Sequence, residues 1–145
     1  MKNLKIAVIA MFATAAVTAQ DLRADQVPSD LNNSFQKEFP QATDIEWEMN
    51  AETYKVEFDM GRMDHEIWYS KDGKKIKTEM EITEAELPAS IAATLKKNYN
   101  SYNIEEVEVT EENGTKTYEI ELEKWFSDDI KLIMSEKGIV IREWK

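Results

Sequence analysis

The strongest constraint on this chain is that it repeats itself. One phrase begins Val27-Pro28, places Leu31, Phe35 and Phe39 at i, i+4 spacing, and continues to Ile45 and Trp47. A second begins Leu87-Pro88, places Ile91, Leu95 and Tyr99 at the same spacing, and continues to Val107 and Val109. Tyr54-Lys55-Val56-Glu57-Phe58 then matches Tyr118-Glu119-Ile120-Glu121-Leu122, and Ser70-Lys71-Asp72-Gly73 matches Ser135-Glu136-Lys137-Gly138. Any one match could be coincidence. Four in the same order argue for an internal repeat whose units must stack to bury their apolar faces.

Each unit reads as one helix followed by about four strands. Pro28 and Pro88 suit a first helical turn, where the missing N–H costs nothing. Pro40 stops the first helix after Phe39. The apolar period then changes from helical spacing to two. Ile45, Trp47 and Met49 alternate with Asp44, Glu46 and Glu48, and Tyr54, Val56, Phe58 and Met60 alternate with Thr53, Lys55, Glu57 and Asp59. Tyr118, Ile120 and Leu122 alternate with Thr117, Glu119, Glu121 and Glu123. Gly61, Asp72-Gly73, Asn113-Gly114 and Lys137-Gly138 mark turns, since such residues tolerate positive φ. A unit of ~60 residues is too small to be comfortable alone. The expected fold is therefore α+β: a tandem repeat of helix plus four antiparallel strands. It forms one roughly eight-stranded antiparallel sheet with two helices packed on one face.

Residues 1–19 differ from the rest. Lys2 and Lys5 precede an apolar run from Ile6 to Val17, and Val17-Thr18-Ala19 suits a signal peptidase. The run is shorter than the ~20 residues that span a bilayer. The expected organisation is a signal peptide at 1–19, a lead-in at 20–26, a first repeat at 27–82, a linker at 83–86 and a second repeat at 87–145. Cleavage would leave no membrane anchor and a periplasmic or secreted protein. The chain has 29 acidic side chains against 18 basic, for a formal charge of −11. Loss of Lys2 and Lys5 leaves 16 basic side chains against 29 acidic, or −13. Such a chain is a poor nucleic-acid binder, because phosphate recognition needs a basic surface. It has no cysteine, which excludes disulfides, Cys-ligated zinc and a cysteine nucleophile.

The order Val27-Pro28, Phe39-Pro40-Gln41-Ala42, Ile45-Glu46-Trp47, Tyr54-Lys55-Val56-Glu57-Phe58 and Asp72-Gly73 resembles the PepSY-like periplasmic proteins. That family has a fold similar to the β-lactamase inhibitor protein, so the resemblance implies tandem helix-plus-four-strand units. It also implies an exported protein of bacteria related to Bacteroides. The second unit departs from the pattern: Asn100 stands where the proline follows the helix, and Val109 where the tryptophan stands. The family pattern defines no catalytic residues.

The residues themselves offer little chemistry. His65 is the only imidazole and shares a face with Met63, Ile67 and Tyr69. It could serve Ser70 as a base, but no Gly-x-Ser-x-Gly elbow accompanies it. Its counterpart in the second unit lies near Ile130, which favours packing. No cofactor is implied. Calcium needs only clustered oxygens, and Asp128-Asp129, Glu105-Glu106 and Glu111-Glu112 are candidates. None fits the Ca²⁺-loop pattern, so no metal ligand is assigned. An acidic cation-binding, calcium-responsive protein is the alternative reading.

The sharper feature is the sheet face away from the helices, which should be polar if it meets only water. Alternation from Val56 and Phe58 places Ile67, Tyr69, Leu132, Met134, Ile139 and Ile141 inward. It places Trp68, Ile133, Val140, Arg142 and Trp144 outward, with Trp125 and Phe126 at a hairpin turn opposite Gly61-Arg62. Tryptophans ringed by charge are typical interface anchors. The expected function is a non-catalytic binding module. It would hold a protein or peptide partner, of basic character, on this open face through these seven residues, in the manner of an inhibitor or chaperone.

Overall fold

The computed structural model describes residues 20–145, so the expected signal peptide lies outside the described residues. The elements are β1 (Gln20–Leu22), α1 (Ser29–Glu38), β2 (Thr43–Asn50), β3 (Thr53–Met60), β4 (Met63–Ser70) and β5 (Lys75–Glu81). There follow α2 (Ala89–Asn98), β6 (Asn103–Glu112), β7 (Thr115–Glu123), β8 (Ile130–Ser135) and β9 (Val140–Trp144). Among the described residues nine strands form one antiparallel sheet in sequence order. The ninth comes from the lead-in: Gln20, Asp21 and Leu22 pair with Met49, Glu48 and Trp47. Its few residues carry too little alternation to announce a strand.

Each helix closes one half of the sheet, because its apolar stripe is one residue per turn wide. Leu31 and Phe35 of α1 pack on Trp47, Val56, Phe58, Ile67 and Tyr69. Phe35 meets Trp47 edge-on at 5.4 Å and Phe58 at 4.9 Å between ring centres. In the second half Ile91 and Leu95 of α2 pack on a mostly aliphatic set including Val107, Ile120, Leu122, Leu132 and Met134. The sheet is continuous across the seam, where Met80 of β5 pairs with Val109 of β6. Both helices therefore lie on one face, and the other face carries neither.

The repeat extends to irregularities of the backbone. Trp47 pairs with Val56 and Val107 with Ile120, so Val107, not Val109, occupies the tryptophan position. Strands β2 and β6 bulge at matching points, between Thr43 and Glu46 and between Ile104 and Glu106. The bulge at Asp44, which has φ of 51°, puts two residues opposite one. It leaves Ile45 at 41 % exposure although simple alternation pointed it inward. The β4–β5 and β8–β9 connections are also alike. Ser70 N–H donates to the Lys74 carbonyl and Ser135 N–H to that of Ile139, both at 2.9 Å.

Two insertions break the symmetry. The β2–β3 hairpin closes at Asn50 and Thr53, whereas β6–β7 continues beyond Thr110 and Thr117 by two further pairs. Its Asn113-Gly114 turn takes positive φ at both residues, 52° and 74°, as a two-residue hairpin requires. The second insertion puts Trp125 and Phe126 in the β7–β8 connection, where β3–β4 has only Gly61-Arg62.

Candidate partner-binding face

Register decides what the helix-free face presents. Directly opposed residues of antiparallel strands share a face. One row runs Glu48, Lys55, Trp68, Lys77, Glu112 across β2 to β6. The Trp68 ring is flanked by two ammonium groups, Lys77 at 4.2 Å and Lys55 at 5.5 Å from its centre. Cation–π attraction to both ammonium groups helps to hold the partly buried indole in place.

The next rows are acidic. Glu46, Glu57, Glu66 and Glu79 stand directly opposite one another across β2 to β5. Glu81, Glu108 and Glu119 do the same across β5 to β7. Like charges directly opposed destabilise a sheet. The compensation is partial. Lys55 bridges Glu57 and Glu66 at 3.0 Å each, Lys77 pairs with Glu79, and Lys131 pairs with Glu121. Burial works against the Lys55 ammonium, but Glu57 and Glu66 together outweigh it and hold its pKa up. Glu66 is nevertheless raised as well, because burial and the neighbouring Glu57 and Glu79 outweigh its share of one lysine.

Glu108 has no ion pair among the described residues. Burial first, then Glu79, Glu119, Glu66 and Glu106, push its pKa up to about 7. The sign for stability follows. Between its unfolded value near 4.5 and about 7, the folded chain holds a proton that the unfolded chain has lost. Stability therefore rises as pH falls through about 7 and levels off below the unfolded value. Glu108 is half-exposed, so the gain is about 1 kcal/mol after solvent screening. Glu108→Gln should raise the urea midpoint at pH 8 and flatten the dependence between pH 5 and 8. A mutant with the wild-type pH profile would refute this.

The expected anchors do not gather in one place. The register puts Trp68, Ile133, Arg142 and Trp144 on the helix-free face, with Ile133 opposite Arg142 and Lys131 opposite Trp144. Trp68 on β4 and Trp144 on β9 are five strand spacings apart, roughly 24 Å. Trp125 and Phe126 project from the β7–β8 turn at 82 % and 100 % exposure, their rings edge-to-face at 5.5 Å. With Trp144, over which the Arg142 guanidinium lies at 5.1 Å, they mark the outer end of the second unit. Val140 must be corrected. It pairs with Met134 and packs against the second core, not outward. The register shift between Ile133 and Met134 inserts Ile141 as an extra residue, which moves Val140 to the other face. For the same reason Ile139 and Ile141, expected inward, are 62 % and 58 % exposed.

His65 sits on the helix side, opposite Phe58 and Met80, with Nδ1 3.0 Å from the Met63 carbonyl. Among the described residues no group of three or more His, Asp or Glu is placed to hold a metal ion. No helix among them is long and apolar enough to cross a membrane. The carboxylate rows are what the sequence reading missed. Their acids are visible as alternation, but their alignment depends on pairing between strands.

Three solved structures share this fold. A DUF2874 family protein from Bacteroides uniformis is 16 % identical with a TM-score of 0.63, over 81 % of this chain and 88 % of that one. A protein described as a putative periplasmic protein from Bacteroides eggerthii is 19 % identical with a TM-score of 0.64, over 81 % and 87 %. A BLIP-like protein from Bacteroides fragilis is 22 % identical with a TM-score of 0.60, over 81 % and 85 %. No curated protein matches the sequence. Residues 15–65 and 52–142 match, as two overlapping stretches, the family described as "Putative beta-lactamase-inhibitor-like, PepSY-like". The helix-plus-four-strand repeat, the single antiparallel sheet and that match over most of its length make this chain a member of the PepSY-like family.

Proposed function

We propose that the chain is an exported, non-catalytic module that holds a basic protein or peptide partner on the helix-free face of its sheet. One observation carries the reading. That face aligns Glu46, Glu57, Glu66 and Glu79 in one row beside Trp68, an indole already clasped by two lysines. The alignment costs stability in the free protein, and a cationic partner would relieve it. The indole offers a rigid apolar anchor inside a charged rim, the usual anatomy of an interface centre. Complementary charge would chiefly speed association and select the partner. The signal-like segment at 1–19 and the B. eggerthii relative's description support an envelope location. The inhibitor-like family description supports a role in holding another protein.

The test is partner capture from periplasmic extract, followed by titration of the captured partner. Trp68→Ala should leave the melting curve unchanged and weaken binding by about 2 kcal/mol, roughly thirtyfold in Kd. Trp144→Ala should be the weaker of the two, since it stands outside the carboxylate rows. Binding should also fall as salt rises. Capture that is indifferent to Trp68→Ala and to salt would sink the proposal.

A further inference from the structure

The two units serve as controls for each other, and their differences converge on one place. That place is a groove of about 670 Å³ on the helix side of the sheet, between the end of α1 and the β6–β7 hairpin. Its apolar lining includes Phe39, Ile67 and Met80. One end is closed by Asn113 and Gly114, at the tip of the hairpin that is longer than its counterpart. Along it, polar groups stand where the second unit has apolar residues in its core or packed against it. His65 occupies the position of Ile130, since Phe58 pairs with one and Leu122 with the other. Lys75 occupies that of Val140, opposite Tyr69 and Met134 respectively. Repeat symmetry shows that the fold can be built with apolar residues at both positions.

The charges there are unbalanced in one direction. Glu38 is paired with Lys75 at 2.6 Å, and Glu111 with Lys116 at 3.5 Å. Lys74 has no ion pair among the described residues. A spare ammonium at the rim of an apolar groove, in a chain that is otherwise strongly acidic, selects for a negative head and an apolar body. The volume suits a small molecule.

We infer that this groove binds a single-chain anionic amphiphile, a free carboxylate with one apolar tail. The carboxylate meets Lys74 at the rim. The tail lies along Phe39, Ile67 and Met80. The site is on the opposite side of the sheet from the proposed partner face and does not depend on it.

Decanoate is a suitable probe, and the lone histidine is a built-in reporter. In nuclear magnetic resonance titrations, decanoate should shift the ring signals of His65 saturably, at one site per chain. Decanol, with the same tail and no charge, should bind more weakly. Lys74→Glu should weaken decanoate roughly three- to fivefold, the size of one exposed charge pair, and leave decanol unchanged. Thr78→Trp, which fills the groove beside Ile67, should abolish both. If that variant fails to fold by circular dichroism, Lys74→Glu and the decanol comparison decide. Unmoved His65 signals at millimolar decanoate would overturn the inference. So would equal binding of decanoate and decanol with no effect of Lys74→Glu.

Discussion

Phe35→Ala should lower the stability of the protein by about 3–5 kcal/mol, the range for deleting a buried aromatic ring. The ring is only 1 % exposed and touches Phe39, Trp47 and Phe58, so its loss leaves a cavity and strips three aromatic contacts. The cost is large because α1 has only ten residues and buries just Leu31 and Phe35. So short a helix is not stable by itself and exists because its face is packed. The sheet is continuous across the seam, so both halves should unfold together. Urea unfolding followed by circular dichroism should show one transition at a much lower midpoint. A shift worth less than about 1 kcal/mol would mean that α1 contributes little to the core.

Gly138→Ala should be nearly as damaging, by about 3 kcal/mol, for a different reason. Gly138 has φ of 75°, a conformation that costs an L side chain about 1–2 kcal/mol. An added Cβ would also fall 2.7 Å from the backbone carbonyl carbon of Ser90, in the first turn of α2. Backbone cannot swing away as a side chain can, so the helix must shift. The shift would strain two hydrogen bonds that tie α2 to the β8–β9 turn. Ser90 Oγ donates to the Glu136 carbonyl at 2.5 Å, and Thr94 Oγ1 to that of Gly138 at 2.9 Å. Gly73 is the matching residue of the first unit, with φ of 78° and no atom within 4 Å of a built Cβ. Gly73→Ala should therefore cost only the conformational part, about 1–2 kcal/mol. Thermal melting of the two variants side by side checks this. Equal losses would show that the close approach to Ser90 yields without cost.

That pair of glycines illustrates how far the sequence carries. Ser-Lys-Asp-Gly and Ser-Glu-Lys-Gly look alike, and both do form the same turn. That one is open and the other jammed against a helix follows from packing between segments distant in the chain. The candidate face behaves similarly. Alternation alone put Trp68 and Ile133 outward, and the register agrees. It failed at Val140, Ile139 and Ile141, because a bulge adds one residue at Ile141, so the side chains before it fall out of step with Arg142 and Trp144 after it. No turn residue or period marks that bulge.

The sequence by itself determined the repeat, the α+β class, the inward faces of most strands and the positions of the tight turns. These depend on the spacing of apolar residues and on which residues accept positive φ, both local properties. Only the tertiary structure decided that four glutamates line up across β2 to β5. It alone decided that Trp68 and Trp144 lie far apart and that the longer second hairpin closes a groove over His65. Each of these is fixed by strand register, which couples residues far apart in sequence and is set by the joint packing of both helices on one sheet.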